Sequence, residues 1–490
     1  MPELLVVNTP ENWPLDIPGV PVVSAREYLT DPAGGGPPGT KVFNLCRSYR
    51  YQSSGYYVSL LAEARGHRPL PSLQTIQELK SPGTVRLLSE EVDELIQQSL
   101  ARLRSTHFAL SIYFGKNLAR RYERLSLQLF NLFPAPLLRA HFVKDQRWRL
   151  ERLAPIAASD IPPGHRAFVV ATAREYLARR WHAAPRRKVP RYTMAILHDP
   201  DELHPPSQPR TLQKFVRVAR RFGIAAELIT RDDFGRLAEY DALFIRATTA
   251  VNHYTFRFAQ RAQASGLVVV DDPRSIIRCS NKVYLAELLR RHRIPTPETL
   301  IVYRDNLDQV GPALGFPCVL KQPDSSFSQG VIKIEDEAAL HREAARLLER
   351  SDLILAQRFV PTAFDWRVGV LDGRVLHVCR YHMAKDDWRI IGRDRRGRLT
   401  YGRADAVAAE EAPRRLVQTA VRAANLVGDG LYGVDVKQTP DGRVLVIEIN
   451  DNPNLDVGCE DAVLKDALYE RVLGYFHRRL EARAEGRRAV

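Results

Sequence analysis

Apolar and polar positions in the first part of the chain predict strands and helices in alternation. Short apolar runs predict two strands, and stretches with a helical spacing of apolar positions predict helices. Beyond residue 84 the helical spacing continues for a long way. The predicted strands are Leu4–Asn8 and Lys41–Leu45, and the predicted helices are Tyr56–Arg65, Leu73–Lys80, Ser89–Arg104 and Asn117–Phe130.

After residue 190 the alternation of strands and helices becomes clearer and predicts a parallel sheet. Its strands are Thr193–His198, Ala242–Arg246 and Leu267–Asp271, and its helices are Thr211–Phe222 and Thr255–Ser265. From residue 281 the order changes to a helix, a strand–loop–strand, a second helix and a set of antiparallel strands. The bounds of the first three are Lys282–Arg291, Cys318–Ile334 and Glu337–Arg350.

Two proline-rich stretches, at 154–164 and 184–191, are typical of connectors, and the second is the predicted main boundary. We therefore expect an N-terminal domain over 1–183, a leading α/β domain over 192–280 and two further subdomains. These last two are predicted over 281–355 and 356–490.

Composition restricts the class of protein. The chain has 490 residues, of which 45% are apolar and 26% are charged, as in ordinary globular proteins. No apolar run is long enough to cross a membrane, the N-terminus lacks a signal-peptide pattern, and the five cysteines form no Cys-x-x-Cys pair. A reduced, cytoplasmic protein is expected.

The formal net charge is +15. Nucleic acid, an anionic membrane and anionic small substrates are partners that suit this charge. The alternative is that the basic residues are spread over solvated faces.

Two lysines occupy positions that suit phosphate binding. Lys282 opens a predicted helix, whose positive end attracts anions, and Lys321 ends an apolar strand before the Ser325–Gly330 loop. A lysine at the end of a buried strand needs a partner, which a polyphosphate would supply. A solvated first-turn lysine and an ordinary hairpin loop are the alternatives.

Charged side chains also follow the next strands. Asp365 and Arg367 are two residues apart and therefore leave the same face of a strand, and Arg380 follows the apolar strand at 374–379. These residues could converge on a substrate or form a surface ladder of ion pairs.

The strongest pattern lies in a predicted hairpin at 433–454. Asp435, Glu448 and Asn450 are flanked by valine and isoleucine, and Glu448 and Asn450 share a face. Carboxylates in an apolar setting are costly unless a cation compensates them. Oxygen ligands without His or Cys indicate Mg²⁺ or Mn²⁺ and not zinc.

Taken in order, the segments from residue 190 to about residue 480 resemble an ATP-grasp carboxylate–amine ligase of the RimK-like group. The resemblance rests on Asn281-Lys282, Lys321 with its loop, Asp365-x-Arg367, Gly433-Val-Asp435 and Glu448-Ile-Asn450-x-x-Pro453. The N-terminal part resembles the extra domain that precedes some of these ligases. The resemblance implies an α/β and α+β fold, in which an N-terminal α/β domain precedes an ATP-grasp fold. That fold has a leading parallel α/β domain and two α+β subdomains that clasp ATP.

The resemblance also implies a role for each candidate residue. Lys282 and Lys321 would hold the ATP phosphates, Asp365 would lie near the nucleotide and the acceptor, and Arg367, Arg380 and Lys321 would act in catalysis. The remaining candidates are the phosphate-covering loop with Ser325, Ser326, Ser328 and Gly330, the adenine-binding hinge with Gln357, Arg358, Phe359 and Val360, and the ligands of two Mg²⁺ or Mn²⁺ ions, which are Asp435, Glu448 and Asn450.

The implied activity is ATP-dependent formation of an amide or peptide bond through an acyl phosphate. The substrate would be an amino acid, a small peptide or a protein tail, with neither a membrane nor nucleic acid as partner, and the resemblance allows a homo-oligomer. A kinase with the same metal site and a basic nucleic-acid-binding protein with a vestigial nucleotide fold are the alternatives.

The N-terminal part carries no motif of known chemistry. We expect residues 1–183 to help select the substrate and not to bind ATP. The segment Arg47-Ser-Tyr-Arg-Tyr51 could hold an acidic substrate or a partner protein, or could be a solvated loop.

Overall fold

The computed structural model describes residues 3–13, 15, 17, 19–31, 36–81, 85, 92–178, 190–324, 330–385, 387–393 and 399–485. The chain forms two compact units. The first comprises Met1–Val189 and Asp232–Glu239, and the second comprises Pro190–Arg231 and Tyr240–Val490. None of the helices in the described ranges is long and apolar enough to cross a membrane.

The first unit begins with a parallel sheet whose strand order is β2-β1-β3-β4. The chain places β2 on one side of β1 and then returns to place β3 on the other side. The predicted strands and the first two predicted helices are confirmed with small shifts at their ends. The bounds are β1 (Glu3–Val7), a 3-10 helix (Pro10–Asn12), β2 (Val22–Ser24), α1 (Ala25–Thr30), β3 (Lys41–Asn44), α2 (Ser54–Ala64), β4 (Arg68–Leu70) and α3 (Leu73–Lys80).

A three-stranded antiparallel sheet, ordered β5-β6-β7, completes this unit. The expectation of mostly helical structure beyond residue 84 is therefore wrong in part. Leu138, Ala140 and Phe142 alternate with more exposed residues, which is the strand period. The bounds are α4 (Asp93–Leu100), β5 (His107–Tyr113), α5 (Glu123–Leu132), β6 (Leu137–Lys144), β7 (Trp148–Pro155) and α6 (Arg166–Ala178), with 3-10 helices at Arg120–Tyr122, Ala158–Asp160 and Pro163–His165.

The segment Asp232–Glu239 belongs to the first unit although it lies far along the chain. The Asn131 side-chain amide donates to the Asp232 carbonyl oxygen (2.9 Å) and accepts from the Gly235 backbone N–H (3.2 Å). Lys41 Nζ lies 2.9 Å from Glu239 Oε2. A buried amide and a buried ion pair thus hold this segment in place.

The second unit opens with the expected parallel sheet, ordered β11-β10-β8-β9. Its core includes Phe215 and Phe244, which are packed edge to face with ring centroids 5.2 Å apart. The bounds are β8 (Tyr192–Leu197), α7 (Pro209–Ala219), β9 (Ile224–Ile229), β10 (Ala242–Ile245), α8 (Tyr254–Ala264), β11 (Val268–Val270) and α9 (Pro273–Ser280), with a 3-10 helix at Arg220–Phe222. The 3-10 helix at Arg231–Glu239 belongs to the first unit from Asp232 onward.

Two antiparallel sheets follow, ordered β12-β15-β13-β14 and β20-β17-β16-β21-β22. Helix α13 packs on the second sheet through Leu416 and Ala420, against Val368 and Val434. The bounds are α10 (Lys282–Arg291), β12 (Thr299–Val302), a 3-10 helix (Arg304–Gln309), α11 (Val310–Leu314), β13 (Cys318–Lys321), β14 (Val331–Ile334), α12 (Glu337–Leu348), β15 (Ile354–Arg358), β16 (Phe364–Leu371), β17 (Arg374–His382), β18 (Ile391–Arg393), β19 (Leu399–Tyr401), β20 (Ala404–Val407), α13 (Arg414–Val427), β21 (Leu431–Gln438), β22 (Val444–Asn450) and α14 (Asp466–Ala484).

Candidate active site

The first basic residue of the site, Lys282, is the first residue of helix α10. The Asn281 side chain accepts the Tyr284 backbone N–H (2.9 Å), so that α10 begins at Lys282. Lys282 is only 8% exposed, and its Nζ lies 3.0 Å from Glu448 Oε1. This ion pair joins the start of α10 to β22.

The second cation, Lys321, is the last residue of β13. Its Nζ donates to Gln357 Oε1 (2.7 Å), and Gln357 Nε2 donates to Thr299 Oγ1 (2.9 Å). Burial lowers the pKa of Lys321 to about 8, and the positive charges of Lys282 and Lys437 act in the same direction, against Glu448. The free site therefore holds an ammonium group that an anion would stabilise.

A ladder of ion pairs crosses the open face of β16 and β21. Asp365 Oδ1 lies 2.6 Å from Lys437 Nζ, and the guanidinium of Arg367 binds both carboxylate oxygens of Asp435, with 2.9 Å from Nη2 to Oδ2. Thr362 Oγ1 donates to Asp365 (2.9 Å). Lys437 and Thr362 are site residues that the sequence reasoning missed.

The three predicted metal ligands lie together at the edge of this ladder. Asp435 is paired with Glu448 across β21 and β22, and Gly433 is paired with Asn450. Asn450 Nδ2 lies 3.2 Å from Asp435 Oδ2. The structure therefore brings the three side chains together, as the hairpin pattern in the sequence predicts.

Electrostatics differ between the two carboxylates. Burial raises the pKa of Asp435, and the adjacent Arg367 only partly opposes this shift. Burial also raises the pKa of Glu448, but Lys282 and Lys321 outweigh it and the net shift is downward. Glu448 is therefore held as a carboxylate by two lysines.

The donor set fits a hard divalent cation, because it offers two carboxylates and an amide oxygen. Within the described ranges, no group of three or more His, Cys, Asp or Glu side chains is placed to hold a metal ion. The predicted set contains only two side chains of these types, Asp435 and Glu448, together with Asn450.

A cleft of about 420 Å³, partly open to solvent, lies against these residues. One part of its lining is apolar and suits a flat ring, and the other part carries charge. The lining residues are Lys282, Leu285, Ala286, Leu289, Thr296, Thr299, Lys321, Leu355, Gln357, Val446, Ile447 and Glu448.

The predicted hinge residues lie in different settings. Gln357 and Arg358 are the last two residues of strand β15. Of the two, Gln357 lines the cleft. Arg358 Nη2 lies 2.6 Å from Glu298 Oε2, on the opposite face of the strand from Gln357. Phe359 is packed edge to face with Trp388, and Val360 follows it after the end of β15.

Arg380 does not join the other catalytic candidates. The strand β17 continues to His382, so Arg380 is an interior strand residue that pairs with Trp366, while Cys379 pairs with Arg367. Its guanidinium carbon lies 5.6 Å from the centroid of the Phe364 ring, and its buried Nε donates to no described group. Strand alternation directs Arg380 to the face opposite Arg367, so the structure does not bring these two residues together, and the catalytic role of Arg380 stays a prediction.

Part of the predicted phosphate loop lies outside the described residues, namely Ser325, Ser326 and Ser328. Gly330 is described. Its carbonyl oxygen accepts the Gln322 backbone N–H (2.9 Å), and its φ of +70° is in the left-handed region that favours glycine. Gly330, the residue before β14, is therefore hydrogen-bonded to Gln322, the residue that follows Lys321 at the end of β13.

Two family models and several known proteins match parts of this chain. A model of the RimK-like ATP-grasp N-terminal domain matches residues 25–172, and a model of the RimK-like ATP-grasp domain matches residues 279–465. A probable alpha-L-glutamate ligase of Aliivibrio fischeri (strain MJ11) is 30% identical over 237 residues, which are 47% of this chain and 74% of the relative.

The alpha-aminoadipate–LysW ligase LysX of Saccharolobus solfataricus is 28% identical over 195 residues, which are 38% of this chain and 67% of the relative. Among solved structures, a D-alanine–D-alanine ligase from Bacillus anthracis aligns with a TM-score of 0.47 and 14% identity, over 60% of this chain and 99% of that chain.

The two domain models match in the order that the resemblance implies, the N-terminal domain first and the ATP-grasp domain after it. The probable glutamate ligase is 30% identical to this chain over 74% of its own length. The chain belongs to the RimK-like ATP-grasp family.

Proposed function

We propose that this protein is an ATP-dependent ligase that joins a carboxylate to an amine through an acyl phosphate. The observation that carries the proposal is that Lys282, Lys321 and Glu448 line the same cleft of the second unit, with the two ammonium groups close to the carboxylate. An ATP-grasp family member with this arrangement has positive charge for phosphates directly beside carboxylates for a cation.

The nucleotide is assigned to the cleft between the two antiparallel sheets. The apolar side chains of Leu289, Leu355 and Ile447 offer contact to the adenine ring, and Lys282 and Lys321 offer charge to the phosphates. We assign nucleotide binding to two subdomains, 281–355 and 356–490, and we propose residues 192–280 as the leading domain that precedes them.

Two Mg²⁺ ions, or Mn²⁺ in their place, would be held by Asp435, Glu448 and Asn450. Such ions neutralise charge on the phosphate oxygens during phosphoryl transfer. The residues support this role because two carboxylates and one side-chain amide, all oxygen donors, lie together on the paired strands β21 and β22.

The reaction has two steps. An oxygen of the substrate carboxylate attacks the γ-phosphorus of ATP, and ADP leaves with the electron pair of the broken P–O bond. The amine nitrogen of the second substrate then attacks the acyl carbon, inorganic phosphate leaves, and the nitrogen loses a proton to give the amide. Lys282 and Lys321 position and stabilise the phosphates, which is the main contribution of a protein to phosphoryl transfer.

We further propose an acidic α-amino acid as one of the two substrates. The names of the two curated relatives specify glutamate and α-aminoadipate, which are both amino acids with an additional carboxylate. The other substrate would be the carboxylate of a small molecule, a peptide or a protein tail.

Trapping with hydroxylamine tests the proposal. The protein is incubated with MgATP, a panel of peptides and acids, and hydroxylamine in place of the amine. Formation of ADP and an acyl hydroxamate is expected, because hydroxylamine captures an acyl phosphate. A stable phosphorylated product without hydroxamate would indicate a kinase. The absence of ADP formation with every substrate, including L-glutamate, would contradict the proposed ligase activity.

A further inference from the structure

The first unit has its own cleft at the carboxyl edge of its parallel sheet. The strand order β2-β1-β3-β4 means that the connections after β1 and β3 leave in opposite directions. In open parallel sheets, a crevice forms between two such strands, outside their carboxyl ends, and this is where such folds bind ligands.

The cleft occupies this place. It measures about 310 Å³, partly open to solvent, and is formed by residues that follow β1 and β3 together with the 3-10 turn at Ala158–Asp160. The lining residues are Val7, Asn8, Thr9, Trp13, Leu45, Arg47, Ala158 and Ser159.

The two connections are fixed to each other. Asn8 Oδ1 accepts the backbone N–H of Arg47 (2.7 Å), so the residue after β1 holds the start of the segment after β3. The crevice is therefore a built feature of the sheet edge.

Two of the lining residues, Trp13 and Arg47, have polar side chains that can only donate hydrogen bonds. The indole N–H of Trp13 is buried and has no hydrogen-bond partner among the described residues. Arg47 contributes a guanidinium group, while the hydroxyl of Ser159 already donates to Asp160 (3.2 Å). An unsatisfied indole donor and an arginine in the lining of one cleft call for an acceptor that carries negative charge.

We propose that the first unit binds a small carboxylate or phosphate in this cleft, with Arg47 and Trp13 as its donors. The site is separate in the chain from all the residues assigned to ATP. It gives the N-terminal unit a binding role that does not depend on the ligase reaction.

Calorimetric titration of the full-length protein tests the site with three probes, which are L-glutamate, succinate and inorganic phosphate. At least one probe is expected to bind, and Arg47→Gln is expected to weaken that binding at least tenfold. Trp13→Phe, which removes the indole N–H and keeps a ring, is expected to weaken it severalfold. Which probe binds distinguishes a carboxylate from a phosphate.

Two control variants make the result specific. Arg50→Gln removes an exposed arginine of the same segment that does not line the cleft, and should bind the probe as the native protein does. Glu448→Gln alters the ATP-grasp site and should also leave this binding unchanged. The proposal is overturned if no probe binds, if Arg47→Gln binds as the native protein does, or if only Glu448→Gln abolishes binding.

Discussion

Each of two carboxylates in the second unit is compensated by a basic side chain, one from a neighbouring strand and one from the start of α10. Asp435 is held by Arg367, and Glu448 by Lys282. Removing one member of a buried pair leaves the other without compensation, which costs several kcal/mol, whereas an isosteric neutral residue keeps part of the hydrogen bonding. Tests of the site therefore need isosteric substitutions.

The first prediction concerns Glu448. Glu448→Gln is expected to lower kcat by about a hundredfold or more, because it removes a charged oxygen from the proposed metal site. ADP release at saturating ATP, measured over a titration of Mg²⁺, checks this. The matched control is Glu298→Gln, an exposed partner of Arg358, which should keep native turnover. Near-normal ligation by Glu448→Gln would mean that the metal assignment is wrong.

The second prediction concerns the pH dependence of ATP binding. The pKa of Lys321 is about 8 in the free protein, so its side chain is an ammonium below that pH and becomes neutral above it. We expect ATP affinity to fall as the pH rises through about 8, because the neutral amine no longer attracts the phosphates. Calorimetry with MgATP across this range measures the effect.

Lys321→Met should weaken ATP binding and should also remove the step in its pH profile. Lys333→Met serves as the control, since Lys333 lies on the neighbouring strand β14 and pairs with Glu335 (2.8 Å). If the native protein and Lys321→Met bind ATP with equal affinity, the ammonium group of Lys321 does not contact the phosphates, and the assignment of Lys321 to the nucleotide site is wrong.

At the level of elements, the pairing of antiparallel strands explains much of the site. Two segments, Asp365-x-Arg367 and Asp435-x-Lys437, each carry an acid and a base two residues apart. When such segments pair antiparallel, each acid faces a base, which gives the observed ladder. The second spacing was visible in the sequence, and it would have identified Lys437 as a site residue.

Features that depend on interactions between residues close in sequence could be predicted, whereas features that depend on distant contacts could not. Helix α10 has its predicted bounds, Lys282–Arg291, because a local cap and a local period define them. Arg380 was placed wrongly because β17 was expected to end at Cys379 and instead continues to His382. The family and the fold class are confirmed, but strand lengths and partners depend on contacts that are distant in sequence.

The third prediction tests the close packing of β16 and β17. A Cβ atom on Gly369 would lie 2.2 Å from the ring of His377, a fully enclosed imidazole whose pKa burial lowers to about 4. Gly369→Ala is expected to lower the free energy of unfolding by about 1–3 kcal/mol through overpacking. Urea denaturation measures this.

Gly164→Ala is the control, because a Cβ atom there meets nothing within 4 Å. Adding His377→Ala to Gly369→Ala should restore part of the lost stability if the ring is the obstacle. A double variant that is less stable than Gly369→Ala alone would contradict this cause.

For the whole molecule, the fourth prediction separates nucleotide chemistry from the role of the first unit. A protein that starts at Pro190 retains the ATP-grasp residues but lacks the partners of the Asp232–Glu239 segment, among them Asn131 and Lys41. We expect it to bind MgATP and to lose ligation of the native substrate. Calorimetry and mass spectrometry of the product measure the two properties.

Asn131→Ala in the full-length chain is the companion variant, because it weakens the hold on that segment while all residues of the first unit remain. It should ligate the substrate better than the shortened protein does. If the shortened protein folds and ligates the substrate with native kinetics, the first unit has no part in substrate selection.

The Asp232–Glu239 segment also affects the order in which the protein matures during translation. Asn131 and Lys41 precede their partners in this segment by 101 and 198 residues. At about 5–20 residues per second, these partners are synthesised about 5–40 seconds later. Until then Lys41 lacks its contact with Glu239, and the Asn131 amide lacks both of its bonds to the segment. A polypeptide that terminates before residue 232 therefore carries a first unit that lacks these contacts, and such truncated products should be more readily degraded than the full chain.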